Sequence, residues 1–421
     1  MNGVWRGRMQ WVCAVAAGVA VLLASCSTPQ PPAKVPAEPV PLPLPPPPWR
    51  DDSPLSVNSG RWQWTDASRD RVITAQWHAP TTTAQALVLV LPGLAQGRSA
   101  PPALIDALVG SGFAVVTIGH AGNDTAVWRS PEARRADVTE AARRMYGASE
   151  ATERGTDVRF VLDSLEREPP PWLPAGAVRR AGVVGIGLGA QTAQWLLGEP
   201  MARTQVATSE PRLVAAALLG PYVGFEGPAM HQRYAAIVAP LLVAYGLTES
   251  DPHGLGMTSQ QRRAMVVELR HARVTELRLP TSSLAGALAP GAVPAVAAEG
   301  PSSGGAGPMS RSEPPSRGTR GPGGGSPSGK GSPPSGAMMA QGGGADTALG
   351  PGAAPMVAAS TGERAARVAL LLSVQAFFEA ELLGSRDARE WLEGPHPGPA
   401  QWTTYVAGRP VTRDARGRIA P

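Results

Sequence analysis

Two cysteines, two lysines, five phenylalanines and five tyrosines are all that 421 residues contain. Both cysteines, Cys13 and Cys26, fall in the first 26 positions. Beyond them no disulfide, cysteine nucleophile or thiolate metal site can be built. Lysine occurs only as Lys34 and Lys330, so arginine carries the positive charge. No Lys/Arg block and no basic helix face with interleaved aromatics is present, which removes the signature of nucleic-acid binding. The six histidines (His78, His120, His231, His253, His271 and His396) include no pair at metal-ligand spacing. Neither a metal nor a cofactor is expected.

Glycine and proline are abundant instead, at 49 and 45 residues, and they are clustered. Length therefore overstates the globular content. The N-terminus has the layout of an export signal: Arg6 and Arg8, then an apolar run over 11–25 that is short for a membrane span. The run ends Leu23-Ala24-Ser25-Cys26. Small residues before a cysteine at this place resemble a bacterial lipobox. The resemblance implies cleavage after residue 25 and lipidation of Cys26. Ser27, in place of an aspartate, points to the outer membrane. Losing Arg6 and Arg8 lowers the net charge from +5 to +3. Residues 26–52 form a Pro-rich linker, with eleven prolines in 29–48. Such a segment adopts extended polyproline II at about 3.1 Å per residue and spaces a domain from the bilayer.

The next part of the chain, 53–285, has an α/β pattern. Short apolar runs predict strands at 72–78, 87–91, 113–118, 181–186, 213–219, 241–245 and 273–279. The last is placed at the sheet edge because its apolar residues alternate with charged ones. Helices are predicted at 102–110, 132–146, 150–167, 189–198 and 259–268. Continuous apolar strands suit a mostly parallel sheet of about eight strands covered by helices on both faces. Trp62 and Trp64 share one face of an extended stretch, and packing against the core is their expected fate. Residues 286–360 are Gly/Pro/Ser-rich and hold too little apolar surface to offset ordering entropy; they are expected to be a disordered insertion. The amphipathic pattern resumes over 361–393, which is expected to dock a closing helix on the same domain. A C-terminal tail, 394–421, follows.

The stretch Gly185-Ile186-Gly187-Leu188-Gly189 joins the strand at 181–186 to a helix. With Ala190 it matches a dinucleotide fingerprint, but it follows about the fourth strand, not the first. Glu210 also lies before the next strand, where that motif needs an acid after it. The nucleotide reading is set aside on those grounds. The order of parts fits another family better. A strand ends in Pro92-Gly93-Leu94, and another ends in His120-Ala121-Gly122-Asn123-Asp124. A helix carries Thr156-Asp157-Val158-Arg159-Phe160-Val161-Leu162-Asp163, and a closing helix follows the insertion. In this arrangement the chain resembles the α/β-hydrolase superfamily, and within it the dienelactone hydrolase and platelet-activating-factor acetylhydrolase-like branch.

That resemblance implies a nucleophile on a strained strand-to-helix turn. The matching residue is Gly187, which has no side chain. Oxyanion donors would be the backbone N–H groups of Leu94 and Leu188. The acid position falls on Glu249 or Asp251, and spacing does not choose between them. The histidine position matches Leu284, within Leu279-Pro280-Thr281-Ser282-Ser283-Leu284. His120 reads as a loop-shaping residue, with ligand contact as the alternative, and His253, close after Asp251, as part of a solvated loop, with a place near the pocket as the alternative. Ser282 and Ser283 lie near the histidine position and not at the elbow. The sequence therefore points to an envelope lipoprotein whose hydrolase-like domain is a pseudoenzyme, binding an unknown small ligand or envelope protein. The alternative is a weak or unconventional carboxylic-ester hydrolase.

Overall fold

The computed structural model describes residues 56–123, 128, 138–202, 208–224, 227–249, 251, 253–282, 284, 288, 361–394, 396, 400–406 and 409–410. The signal, Cys26, the Pro-rich linker and all of the 286–360 tract except Leu288 lie outside these residues.

Ten strands form one sheet: β1 (Val57–Asp66), β2 (Arg71–Pro80), β3 (Ala86–Leu91), β4 (Phe113–Gly119), β5 (Ala181–Ile186), β6 (Leu213–Leu219), β7 (Leu241–Gly246), β8 (Val274–Leu279), β9 (Gln401–Val406) and β10 (Arg409–Pro410). Their spatial order is β1-β2-β4-β3-β5-β6-β7-β8-β9-β10. Strands β3 to β8 are all parallel, whereas β2 meets β4 and β9 meets β8 in antiparallel fashion. An antiparallel β2, the 4-3 exchange and five parallel neighbours define the α/β-hydrolase fold.

Strands β3, β4, β5 and β7 are buried along their whole length, as their unbroken Val, Leu and Ala runs require. Helices α1 (Pro102–Gly110), α2 (Val138–Met145), α3 (Ala148–Arg167), α4 (Leu188–Leu196), α5 (Met230–Arg233), α6 (Ser259–Glu268), α7 (Thr361–Leu382) and α8 (Arg386–Glu393) complete the order. Two apolar cores lie one on each side of the sheet. Val158, Val161, Ala190 and Leu196 belong to one, and Leu104, Leu108, Leu370 and Phe378 to the other. The closing helix docks as its pattern predicts. Phe378 sits over Gly182, where a β-carbon would come within 2.5 Å of its ring, and it meets Phe113 edge-on at 6.3 Å. Leu288 is also buried in this core, so the domain continues past residue 285.

Two expectations need correction. Strand β8 is interior, not at the sheet edge, because the segment read as a tail supplies β9 and β10. The charge that suggested an edge is Glu276. Its carboxylate is fully buried and accepts hydrogen bonds from the hydroxyls of Tyr245 and, at 2.9 Å, Tyr405 of β9. A buried carboxylate needs such donors. Burial, together with this carboxylate, pushes the Tyr405 phenol up to about 12. At the other end of the sheet, Trp62 and Trp64 of β1 join Trp77 and Trp172. Trp62 and Trp172 stack at 5.8 Å, and all four pack partly buried on the core.

Tyr405→Phe removes one donor to Glu276. The variant is expected to lose about 1–3 kcal/mol of stability, read from urea unfolding monitored by far-UV circular dichroism.

Candidate functional site

The elbow between β5 and α4 sets the geometry of the site. Gly187 has φ 50° and ψ −103°, a left-handed-side conformation that is costly for residues with a β-carbon. Its N–H donates to the Leu219 carbonyl at 2.8 Å, and its carbonyl accepts from Gln191 N–H at 3.2 Å. The flanking glycines are required by space. A β-carbon at Gly189 would lie 1.9 Å from the Leu91 carbonyl oxygen, and one at Gly185 would lie 2.5 Å from Gly189 O. At Gly187 the situation is reversed. Among the described residues a β-carbon there would meet one atom, the Tyr146 phenol oxygen, at 3.5 Å. Apart from its chain neighbours, no other atom of the described residues comes within 4 Å of that position.

The loop after β3 lies beside it, with a β-carbon position at Gly93 that would be 3.5 Å from Ile186 O. Asn123, from the His-Ala-Gly-Asn stretch, fixes this loop. Its Nδ2 donates to Gly93 O at 2.9 Å, and its Oδ1 accepts from Ala95 N–H at 2.6 Å. Ala95 is thereby held at φ 64°. Leu94 and Leu188 then pack in one small cluster with Ala142 and Tyr146. Neither Leu94 N–H nor Leu188 N–H has an acceptor among the described residues. For Leu188 this follows from its place in the first turn of α4.

The two acidic candidates separate cleanly. Glu249 Oε1 accepts from the Leu284 N–H at 3.3 Å, while Oε2 accepts from Gly246 N–H at 3.2 Å and pairs with Arg262 Nη1 at 2.9 Å. Asp251 instead closes its own loop, accepting from His253 N–H and Met257 N–H, each at 3.0 Å. Glu249 is thus the carboxylate that faces residue 284. Leu284 itself is 1% exposed and belongs to the apolar core with Ile186, Leu219 and Leu279. Ser282 is described here and Ser283 is not.

His253 departs from its expected place in a solvated loop. It is half-buried, and its ring centre lies 6.4 Å from that of Tyr146. Burial holds it below the ordinary histidine value, with Asp251 partly opposing, so the ring is neutral near pH 7. His120 is loop-shaping, as expected. Its buried Nδ1 meets Asp157 Oδ2 at 3.1 Å. Burial lowers its pKa, so the neutral ring donates here. Asp157 also takes Arg71 at 2.8 and 3.0 Å and Arg69 at 2.9 Å.

Sequence reasoning passed over Tyr146, Gln191 and Arg154. Arg154 is wholly buried; it donates to Gln191 Oε1 at 2.7 Å, Thr192 Oγ1 at 2.8 Å and Met145 O at 2.5 Å. Gln191 Nε2 in turn donates to Tyr146 O at 2.6 Å. This network locks the backbone that presents the Tyr146 phenol to the elbow. Burial lowers the Arg154 pKa to about 10 and raises that of Tyr146, so at neutral pH the guanidinium is charged and the phenol is neutral. The Tyr222 ring lies tilted against that of Tyr146, with centroids 4.5 Å apart. No group of three or more His, Cys, Asp or Glu side chains suited to a metal ion occurs among the described residues.

No protein-family model and no curated protein matches the chain. Among solved structures, it is similar to a cold-adapted esterase from an Arctic intertidal metagenomic library. That match has 16% identity and a TM-score of 0.37, and covers 56% of this chain and 90% of the esterase. It is also similar to a ferulic acid esterase from Streptomyces cinnamoneus, with 18% identity and a TM-score of 0.35 over 54% of this chain and 75% of the other. At these values the fold rests on the strand order itself.

The Asp157 cluster makes a pH prediction. Burial opposes its ionisation, but hydrogen bonds from His120 and Arg71 outweigh burial and hold its pKa at about 2, against an ordinary 3.8. A depressed carboxyl stabilises the fold above its unfolded pKa, and that contribution fades as pH falls toward about 2. It amounts to about 2 kcal/mol. Urea unfolding at a series of acid pH values is expected to show this loss, and Asp157→Asn, though weaker at neutral pH, is expected to show a shallower acid slope.

Proposed function

We propose that this chain is a non-catalytic, ligand-binding member of the α/β-hydrolase group, held in the bacterial cell envelope by a lipid on Cys26. The observation that carries the first half is the elbow. Its backbone has the conformation that a nucleophile needs, but the residue there is Gly187, and the residue facing the Glu249 carboxylate is Leu284. Attack and proton transfer each lack a side chain. Loss of a serine nucleophile alone costs about 10⁶-fold in turnover in a related mechanism, and a remnant of roughly 10³-fold over water survives from oxyanion donors and binding.

Binding needs less than catalysis, and what it needs is still built. The Pro-Gly-Leu loop is clamped by Asn123, the Leu188 N–H at the start of α4 has no acceptor among the described residues, and Tyr146 and Tyr222 lie beside them. The same donors, with His253 nearby, would also serve a weak ester hydrolase that activates a water.

The two readings differ in covalent chemistry. The binding reading expects no turnover of short p-nitrophenyl esters and no labelling by a fluorophosphonate. It also expects Gly187→Ser to remain inactive, because the residue facing the Glu249 carboxylate is Leu284 and not a base. Labelling of the wild-type chain would establish the enzyme in its place, and loss of that labelling in His253→Ala would identify the base.

The anchor rests on the signal, the lipobox-like Leu-Ala-Ser-Cys and the Pro-rich spacer. No helix among the described residues is long and apolar enough to cross a membrane. Cys26→Ser is expected to move the protein from the membrane to the soluble fraction; membrane retention of that variant would end the assignment.

A further inference from the structure

The Tyr146 phenol is 9% exposed as part of its residue, points at the elbow, and has no hydrogen-bond partner among the described residues. Its backbone is fixed by Gln191 and Arg154, which hold the hydroxyl toward the elbow as an open donor. Three unused donors, the phenol and the N–H groups of Leu94 and Leu188, therefore border one space. Behind them lies Arg154, fully buried, with no carboxylate at ion-pair distance among the described residues. Glu150 and Asp157 act on it only from beyond ion-pair distance, so its charge still favours an anion nearby. The walls are Leu94, Leu188, Tyr146 and Tyr222, all apolar or aromatic.

We propose that this space binds an organic carboxylate with an apolar acyl or aromatic body, one oxygen filling the position that a side chain at residue 187 would take. The assignment rests on the reading of the elbow as non-catalytic. A carboxylate supplies two oxygens and about four acceptor sites, enough for all three donors. An ester has one strong acceptor and no charge for Arg154 to favour. Inorganic phosphate carries the charge but leaves the apolar walls unfilled. The glycine is then functional: a side chain there would occupy the oxygen site and take the phenol for itself.

The test is calorimetric titration of the purified full chain in detergent with 3-phenylpropionate and with hexanoate, alongside their methyl esters and inorganic phosphate. Saturable one-to-one binding of at least one carboxylate is expected, with its methyl ester and phosphate each at least about tenfold weaker. Tyr146→Phe should weaken the carboxylate by about ten- to a hundredfold at an unchanged melting temperature. Gly187→Ser should weaken it at least as much. Equal affinity for acid and ester, tighter binding of phosphate, no carboxylate binding, or an unchanged affinity in Tyr146→Phe would each overturn the assignment. Hydrolysis of a methyl ester, followed by NMR, would instead overturn the non-catalytic reading. Ester binding without hydrolysis leaves that reading standing and removes only the carboxylate.

Discussion

Helix α4 lies so close to β3 that a methyl group at residue 189 would sit 1.9 Å from the Leu91 carbonyl oxygen. Most of the candidate site depends on this approach. It forces glycine at 189, makes glycine at 185 equally necessary, and bends the chain through φ 50° at residue 187. It also directs the first turn of α4, with its unpaired N–H, toward the loop after β3. That geometry is made of backbone and close packing, so it needs no side chain at residue 187.

Around the bend, buried polar groups fix positions more than they add stability. Asn123 clamps the Gly93–Ala95 loop, and Arg154 with Gln191 holds the Met145–Tyr146 backbone. Glu249 and Arg262 tie the loops after β6, β7 and β8 together through Pro221, Gly246 and Leu284. Each is a paired network, as burial demands.

Much of the fold was legible because its central strands are unbroken apolar runs and its helices keep their period. Seven strands and five helices lie close to their expected bounds; the helix expected over 132–146 is described as Val138–Met145, residues 132–137 lying outside the described residues, and the helix after the long insertion packs on the sheet. Strand β1, adjacent to its partner β2, was not among the expected strands; two further misses share one cause. Strand β9, Gln-Trp-Thr-Thr-Tyr-Val, is short and polar, and the reason it pairs is Glu276, 129 residues from Tyr405. Glu276 read as an exposed edge charge because its two tyrosine partners are distant in the chain. Tyr146 was invisible for the same reason: at the end of an amphipathic helix it resembles any half-buried aromatic. Only folding sets its hydroxyl 3.5 Å from the β-carbon position of Gly187.

The sequence by itself determined the fold class, the glycine elbow and the absence of a hydroxyl or imidazole at the positions that the resemblance assigns to them. These follow from local period and from residue identity, which need no partner to be read. Tertiary structure decided which carboxylate faces residue 284, that His253 lies beside Tyr146, and that the Tyr146 phenol is turned toward the β-carbon position of Gly187. Those facts depend on which loops the parallel crossovers bring together at one end of the sheet. Residues far apart in the chain become neighbours only through that path, and sequence spacing carries no measure of it.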